Sequence, residues 1–334
     1  MDMDVRKTVK YIVSIAVAVV LVYFSFRGVD WKDFMGSIRS CRWEWIVYAM
    51  LFSILSFIIR SERWRRLMLP IDGKIGVLTT YNAVCIGYLA NFVFPRIGEV
   101  VKCGVVSRRQ AAIAGNKEGK LYNFDKYVGT VVMEKTFDIL SVMALFAILL
   151  VAWWEKFGTF FTDHILSPAS QRNYGGLLLT FAIIALIVSA VILVARLKDK
   201  YSLCGKIYKF INGLWTGFKG CFTSKGGFSF LVYTIALWLS YIMMSYCIIR
   251  SLPFLDTMGF VDAMFVCAAG GLGWIVPAPG GIGSYHFIVA LALSSIYGIA
   301  WESGLLVATL NHGAQAVTMV VCGIVSYFVE MLRK

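Results

Sequence analysis

Charged residues are scarce in this chain. They make up 15% of its 334 residues, whereas about a quarter is usual in a soluble protein. Hydrophobic residues make up 59% of the chain, and the mean hydropathy is +0.74. Several apolar stretches reach the roughly 20 residues that cross the hydrocarbon core of a bilayer. The composition excludes an ordinary soluble domain and predicts an all-α polytopic membrane protein.

Signatures of several kinds of chemistry are also lacking. The eight cysteines form no CxxC pair and there are only three histidines, so neither a disulfide framework nor a zinc site is indicated. The sequence contains no Walker motif, no GxSxG and no HExxH. We therefore expect no catalytic residues, no metal and no cofactor, and we expect that the protein is not an enzyme.

The positive charges are placed as topology signals. The net charge is +13, but lysine and arginine bracket the apolar spans, which argues against a nucleic-acid partner. About six full spans are predicted, near residues 9–26, 44–59, 128–153, 174–195, 228–249 and 303–328. The first resembles a signal peptide, but no small-residue cleavage site follows it, so we expect an uncleaved span.

The distribution of lysine and arginine predicts an orientation. The segments assigned to one side of the membrane hold 24 of these residues and those assigned to the other side hold 7. By the positive-inside rule, both termini are then cytoplasmic. The same charges predict contact with anionic lipid at the cytoplasmic face.

Two further apolar regions, 75–107 and 259–299, are broken by proline and glycine. The first break lies at Pro95, and the second lies at Pro277 and Pro279. Irregular backbone at membrane depth persists only where it is buried in protein or faces a watery cavity. Because the segments on both sides of 75–107 are basic, we expect a re-entrant hairpin from the cytoplasm there. The same parity argument predicts a second hairpin, from the outside, at 259–299.

The order of elements predicts an inverted repeat. Within a single membrane domain, 1–334, the first repeat is 1–155 and the second is 174–334, and they start on opposite sides. Each carries a helix-period stretch, at 27–44 and at 203–219, which is either an interfacial amphipathic helix or a basic loop. Inverted repeats with matching breaks are typical of secondary transporters, and the breaks point to the binding site.

The first break carries three charged residues, Arg96, Glu99 and Lys102. Arg96 is suited to hold a phosphate by a bidentate fork, with Lys102 as a second point charge and Glu99 keeping Arg96 aligned. The alternative is that Arg96 and Lys102 lie at the cytoplasmic interface and reach lipid headgroups.

The third span carries Glu134, Lys135 and Asp138 within five residues. Glu134 and Asp138 share a helical face at i,i+4. Ionisable groups inside a span indicate a functional site, the alternative being a buried cluster that only fixes packing. Basic partners are available in Arg60, Arg63 and Arg96, although Arg60 and Arg63 also fit the role of topology anchors.

Polar residues also follow the second break. His286 comes directly after it, where we expect the cavity, and histidine titrates near physiological pH. In the last span, Asn311, His312 and Gln315 either line a polar path or form hydrogen bonds between helices. The candidate substrate-binding residues are Asn91, Pro95, Arg96, Gly98, Glu99, Lys102, Glu134, Lys135, Asp138, Pro279, Gly280, Gly281 and His286. The secondary candidates are Arg60, Arg63, Asn311 and His312.

Four motifs together resemble the lysylphosphatidylglycerol synthase transmembrane-region family, which includes the membrane half of the bacterial multiple peptide resistance factor. They are RSERW at 60–64, N…PRIGE at 91–99, VMEKTFDIL at 132–140 and PAPGGIGSYH at 277–286. Two positions depart from the family pattern. Lys135 stands where arginine is typical, and His286 occupies a position that is commonly glutamate. The soluble aminoacyl-transferase domain of the resistance factor is missing, so lipid lysylation by this chain is not expected.

The resemblance implies a flippase-like protein that moves or binds a phospholipid or polyprenyl-linked lipid between two re-entrant elements. A membrane-embedded lipid-modifying enzyme or its accessory subunit is the second hypothesis, because paired carboxylates beside a histidine fit acid–base chemistry. A secondary transporter of a small solute is the third. A cavity open to the membrane favours lipid, and one open only to water favours a solute. The oligomeric state stays open, a homodimer being one alternative.

Overall fold

The fold is that of an all-α polytopic membrane protein, as the composition predicts. The computed structural model describes residues 15–94, 96–115, 122–153, 196–197, 201, 205, 227–276 and 278–333, and within these ranges it consists of helices and connecting loops. The chain divides into two compact units, one of which comprises the residues up to Leu145 and those from Ser229 onward. The second unit, Phe146–Phe228, contains few described residues. The first unit carries the site.

Ten helices follow one another along the described chain. They are α1 (Ile15–Phe26), α2 (Trp31–Arg39), α3 (Trp43–Met68), α4 (Val77–Val93), α5 (Gly98–Ile113), α6 (Phe124–Ala152), α7 (Gly227–Ser251), α8 (Phe260–Gly273), α9 (Ser284–Tyr297) and α10 (Trp301–Leu332). Five segments are long and apolar enough to cross a membrane, namely α3, α6, α7, α10 and Pro279–Tyr297, which contains α9.

Four of the predicted full spans are found as long apolar helices, α3, α6, α7 and α10. The first span, predicted at 9–26, is represented by α1 over its described part. The span predicted at 174–195 and most of the amphipathic stretch 203–219 lie outside the described residues. The other amphipathic stretch contains helix α2, which begins where the Asp30 side chain accepts hydrogen bonds from the N–H groups of Lys32 and Asp33. For the stretch 27–44 the alternatives were a helix and a basic loop, and the structure has a helix at its centre.

The two broken regions each form a helical hairpin. In the first, α4 and α5 run antiparallel, and the Cβ of an alanine at Gly87 would lie 2.8 Å from the Gly98 carbonyl oxygen. The side chain of Asn91, in the last turn of α4, accepts a hydrogen bond of 2.7 Å from the N–H of Gly98. This bond satisfies one of the free N–H groups at the start of α5. Glycine permits the close approach, and asparagine fixes the turn.

The second hairpin packs α8 against α9. The Ser284 hydroxyl donates to the Gly273 carbonyl oxygen at 2.9 Å near the break, and the Tyr297 hydroxyl donates to Asp262 at 2.7 Å at the far end. Helix α10 contacts both hairpins, through α4 and α9. That the hairpins are re-entrant, and that the two halves form an inverted repeat, stay predictions.

Loops predicted to share a side of the membrane lie together. On one side, Arg42 donates to both carboxylate oxygens of Asp256 at 2.8 Å, and these bonds hold the pKa of Asp256 below its usual value. The N–H of Arg42 also donates to the Ser251 carbonyl oxygen. On the other side, Arg109 donates to the carbonyl oxygen of Arg333 at 2.7 Å. These contacts agree with the predicted grouping of segments, while the assignment of one side to the cytoplasm stays a prediction.

The Gly87–Gly98 contact gives a test of the first hairpin. A Cβ at Gly98 would collide with the Gly87 carbonyl oxygen, so we expect Gly98→Ala to lower the free energy of unfolding by about 2–3 kcal/mol. In the matched control Gly104→Ala, on the same helix, the new Cβ meets no atom within 4 Å. That change should be neutral or stabilising by up to about 1 kcal/mol. Thermal unfolding in detergent measures both, and equal midpoints for the two variants would contradict the close packing of α4 on α5.

Candidate functional site: a charged cavity between two helical breaks

Charged side chains from three helices meet in one group, which we call the ion cluster. Its members are Arg60 and Arg63 of α3, Glu99 and Lys102 of α5, and Glu134, Lys135 and Asp138 of α6. Charges inside a membrane protein are costly unless they pair with one another or face a cavity. The cluster does both, because its inner members pair and its outer members line a cavity.

Glu134 lies at the centre of the ion cluster and is fully buried. Its Oε2 atom lies 2.7 Å from Lys102 Nζ, and its Oε1 atom lies 3.3 Å from Arg63 Nη2 and 3.4 Å from Arg60 Nη1. The carboxylate thus joins three helices. The prediction that Arg60 and Arg63 supply partners for the carboxylates of the third span is confirmed.

Asp138 binds the same two arginines. Arg60 Nη2 and Arg63 Nη2 donate to its two oxygens, each at 2.7 Å. Aromatic rings cover both guanidinium groups, since Tyr88 lies 6.0 Å from Arg60 and Phe230 lies 5.5 Å from Arg63, measured to the ring centroids. Arg60 and Arg63 are therefore buried ion-pair partners of the two carboxylates, and the alternative that they act as topology anchors stays a prediction.

Glu99 and Lys102 differ from their predicted roles. Glu99 lies 2.7 Å from Lys135 Nζ and 2.9 Å from Lys102 Nζ. The prediction that Glu99 aligns Arg96 is wrong, because Glu99 faces α6 from the first turn of α5, whereas Arg96 reaches to Ile275. The alternative that Lys102 lies exposed at an interface is also wrong, since its side chain is 6% exposed within the ion cluster.

A cavity of about 520 Å³ lies beside the ion cluster. Its charged wall consists of Arg60, Arg96, Glu99, Lys135 and Asp138, and its aromatic wall includes Tyr88, Phe92, Trp238, Tyr241, Trp274 and Tyr285. The volume falls within the roughly 300–1,000 Å³ of small-molecule sites. Within the described ranges, no three His, Cys, Asp or Glu residues are grouped so as to hold a metal ion.

The two breaks meet at this cavity. Arg96, in the first break, donates from Nη2 to the carbonyl oxygen of Ile275 in the second, at 2.7 Å. The backbone of Gly280 in the second break lies so close to the Phe92 ring that an added Cβ would be 2.9 Å from it. Arg96 has φ 63°, in the left-handed region that side chains other than glycine rarely adopt. Strained backbone of this kind is concentrated at functional sites.

A family comparison agrees with this geometry. Residues 11–323 match the family described as the lysylphosphatidylglycerol synthase TM region. The chain belongs to this family. No curated protein and no solved structure matches it. Membership connects this multi-pass membrane protein with membrane lipid, and the match covers both hairpins and every cavity-lining residue.

His286 is buried but is not among the residues that line the cavity. Its ring lies 5.9 Å from Phe26 of α1 and 4.9 Å from His312 of α10, between centroids. The preceding residue, Tyr285, lines the cavity instead. A role for His286 in binding substrate stays a prediction, and the structure gives it packing contacts with α1 and α10.

Asn311 and His312 form hydrogen bonds between elements. The Asn311 Nδ2 atom donates to the Tyr285 hydroxyl at 2.7 Å and to the Ser245 hydroxyl at 3.1 Å. The His312 Nε2 atom lies 2.8 Å from the Gly280 carbonyl oxygen, and because a carbonyl only accepts, Nε2 carries the proton. These bonds link α10 to α7, α9 and the second break. Of the two alternatives for Asn311 and His312, they correspond to hydrogen bonding between helices.

The remaining candidates shape the breaks. Pro279 opens the short 3₁₀ turn Pro279–Gly281, in which Gly280 has φ 57° and Gly281 has φ 75°. The positive φ values require glycine at both positions. Gly280 lines the cavity, and Gly281 packs against the Trp274 ring. Pro95, the corresponding proline of the first break, lies outside the described residues.

The sequence analysis missed several aromatic side chains of the cavity wall. Tyr88, Trp238 and Tyr241 all line it. Aromatic residues are common throughout apolar helices, so nothing in their spacing sets these apart. Of the three polar residues singled out in the last span, Gln315 lines the cavity.

Proposed function

We propose that this protein binds a membrane lipid by its phosphate-containing headgroup and moves it between leaflets. The observation that carries the proposal is the rim of the cavity, where apolar residues that the protein leaves exposed stand beside the charged wall. Ile139, Trp274 and Ile275 line the cavity and are 49%, 38% and 50% exposed. In a bilayer such a rim faces the lipid, which supports access for a lipid whose acyl chains remain outside.

The chemistry of the charged wall fits a headgroup. Arg96 presents a guanidinium at the point where the breaks meet, and guanidinium groups bind phosphate through paired hydrogen bonds. Arg60 and Lys135 stand in the same wall. The substrate is a phospholipid or a polyprenyl-linked lipid, in a bacterial cytoplasmic membrane with both termini inside.

The other two hypotheses have less support. The enzyme hypothesis relied on paired carboxylates beside a histidine, but Glu99, Glu134 and Asp138 contact cations and His286 packs against Phe26. A transporter for a soluble solute needs a cavity sealed from the membrane, and the exposed apolar rim argues against that. We therefore propose a carrier of lipid without a chemical step.

A substitution at the rim tests the proposal. In liposomes containing the purified protein, a fluorescent label on one acyl chain reports the exchange of phospholipid between leaflets. Ile139→Trp should lower the exchange rate at least tenfold, because the larger side chain narrows the access from the membrane. The matched control is Leu140→Trp, at the next residue, which is 38% exposed and points about 100° away around the helix.

Two results would refute the proposal. One is exchange no faster than in liposomes without protein, for every phospholipid tried. The other is equal exchange in the Ile139→Trp and Leu140→Trp variants, which would place any lipid path elsewhere.

A further inference from the structure

Two donors and one acceptor of the cavity wall are buried without a hydrogen-bond partner among the described residues; the acceptor, Glu99 Oε2, lies 2.9 Å from the Lys102 ammonium as an ion pair. Arg60 lines the cavity and is only 8% exposed, and its Nε atom has no partner among the described residues. The indole Nε1 of Trp238, also in the wall, is buried without a partner in the described part of the chain. A buried donor without an acceptor costs free energy. Both positions favour a ligand that brings acceptor oxygens.

The carboxylates of the ion cluster, by contrast, are already paired with cations. Each oxygen of Asp138 accepts from an arginine at 2.7 Å. The oxygens of Glu99 lie 2.7 Å and 2.9 Å from two lysine ammonium groups, and those of Glu134 lie within 2.7–3.4 Å of a lysine and two arginines. A cationic ligand could reach one of these oxygens only by displacing a cation that is already there.

The balance of charge points the same way. The cavity wall contains three cations, Arg60, Arg96 and Lys135, and two anions, Glu99 and Asp138. Behind the wall, Arg63 and Lys102 outnumber Glu134 by one. Because the effective dielectric constant in such a site is lower than in bulk water, the excess of two positive charges attracts an anionic headgroup and repels a cationic one.

We infer that the cavity selects lipids whose headgroup carries phosphate and no positive charge, and that it discriminates against cationic headgroups. The inference rests on the proposed function and adds the class of lipid. An anionic phosphate ester accepts hydrogen bonds from Arg60 Nε, Trp238 Nε1 and Arg96. An ammonium headgroup meets the same donors, and every carboxylate of the ion cluster is already paired with a cation.

Leaflet exchange of three lipids with identical labelled chains tests the selectivity. The probes are phosphatidylglycerol, which is anionic, phosphatidylethanolamine, which is zwitterionic, and the lysyl ester of phosphatidylglycerol, which is cationic. We expect phosphatidylglycerol to exchange at least tenfold faster than the lysyl ester, with phosphatidylethanolamine between them. Soluble glycerol phosphate, added in excess, should compete only if the cavity binds phosphate without the acyl chains.

Two variants connect the selectivity with named atoms. Lys135→Gln removes one cation of the wall and should lower the ratio of anionic to cationic exchange at least threefold, while the control Lys74→Gln, at an exposed lysine outside the cavity, should leave it unchanged. Trp238→Phe keeps the ring and removes the N–H, so exchange of phosphatidylglycerol should fall about fivefold. Its thermal stability should stay that of the wild type, because the N–H has no partner to lose within the described structure.

The outcomes separate the two proposals. If no probe exchanges faster than in protein-free liposomes, the proposed function fails. If the lysyl ester exchanges as fast as phosphatidylglycerol, or if Lys135→Gln leaves the ratio unchanged, the lipid carrier stands and the inferred selectivity is wrong. If Trp238→Phe lost enough thermal stability to account for its slower exchange, the assignment of that N–H to the ligand would likewise be overturned.

Discussion

Glu134→Gln is expected to lower the free energy of unfolding by about 3–5 kcal/mol. The reason is that the substitution removes the one anion that contacts Lys102, Arg63 and Arg60 together, at 2.7, 3.3 and 3.4 Å. Breaking a buried ion pair by removing one partner leaves an uncompensated buried charge. Asp138 and Glu99 would remain as the anions facing Arg60, Arg63, Lys102 and Lys135, so the net charge of the ion cluster would rise from +1 to +2.

A second substitution distinguishes this electrostatic cause from lost packing. Adding Lys102→Met removes one of the buried cations that lost Glu134, and the methionine can occupy the space beside the Trp64 ring, where the ammonium now lies 4.7 Å from the centroid. We expect the double variant to recover at least half of the lost stability. A double-mutant cycle over the two sites measures the coupling.

The control for this experiment is Glu62→Gln. Glu62 pairs with Arg65 and Arg66 along α3, at 2.6 and 2.9 Å, and the arginines are 18% and 33% exposed. Such i,i+3 and i,i+4 pairs contribute little, so the loss should stay below about 1 kcal/mol. If Glu134→Gln cost no more than this control, or if Lys102→Met failed to restore stability, the ion cluster would not hold the three helices together.

Part of the ion cluster could be predicted because it depends on helix periodicity. Glu134 and Asp138 share a face at i,i+4, and Arg60 and Arg63 share one at i,i+3, so a contact between two long helices brings all four together. The sequence shows the face of each helix that carries the charges, and it shows that few other charged residues at membrane depth could pair with them. It does not show which arginine meets which carboxylate.

The role of α5 could not be predicted because it depends on how the first hairpin closes. Glu99 seemed to be the natural partner of Arg96, three residues earlier. The left-handed backbone at Arg96 turns its side chain to the second break, and the Gly87–Gly98 contact sets the rotation of α5 that places Glu99 and Lys102 against α6. Neither feature leaves a periodic trace in the sequence.

The position of His286 shows the same limit. Its place after the second break predicts a cavity residue, but the phase of α9 is set by the irregular turn before it, where Gly283 has φ 84°. A phase shift of one residue rotates a helix by about 100°. The observed phase places Tyr285 in the cavity wall and turns His286 toward Phe26.

Arg96→Ala is expected to slow leaflet exchange of an anionic phospholipid about 10- to 100-fold. A hydrogen bond to a charged group contributes about 1.5–3 kcal/mol, and the guanidinium stands in the cavity wall at the meeting point of the breaks. The exchange rate of Arg96→Lys should lie between those of the wild type and Arg96→Ala, since lysine keeps the charge and loses the planar fork. The control is Arg108→Ala, an exposed arginine on α5, which should exchange lipid at the wild-type rate.

Substitution of Arg96 by glycine separates the function of its side chain from its backbone strain. The φ of 63° costs a residue with a Cβ about 1–2 kcal/mol and costs glycine nothing. Arg96→Gly and Arg96→Ala both lose the guanidinium and its bond to Ile275, so their exchange rates should fall equally. In thermal unfolding, however, the glycine variant should be more stable than the alanine variant by about 1 kcal/mol. Equal stability would show that the left-handed backbone is not maintained in the protein, whereas the expected difference would mean that the chain tolerates strain here to hold a phosphate-binding side chain between its two breaks.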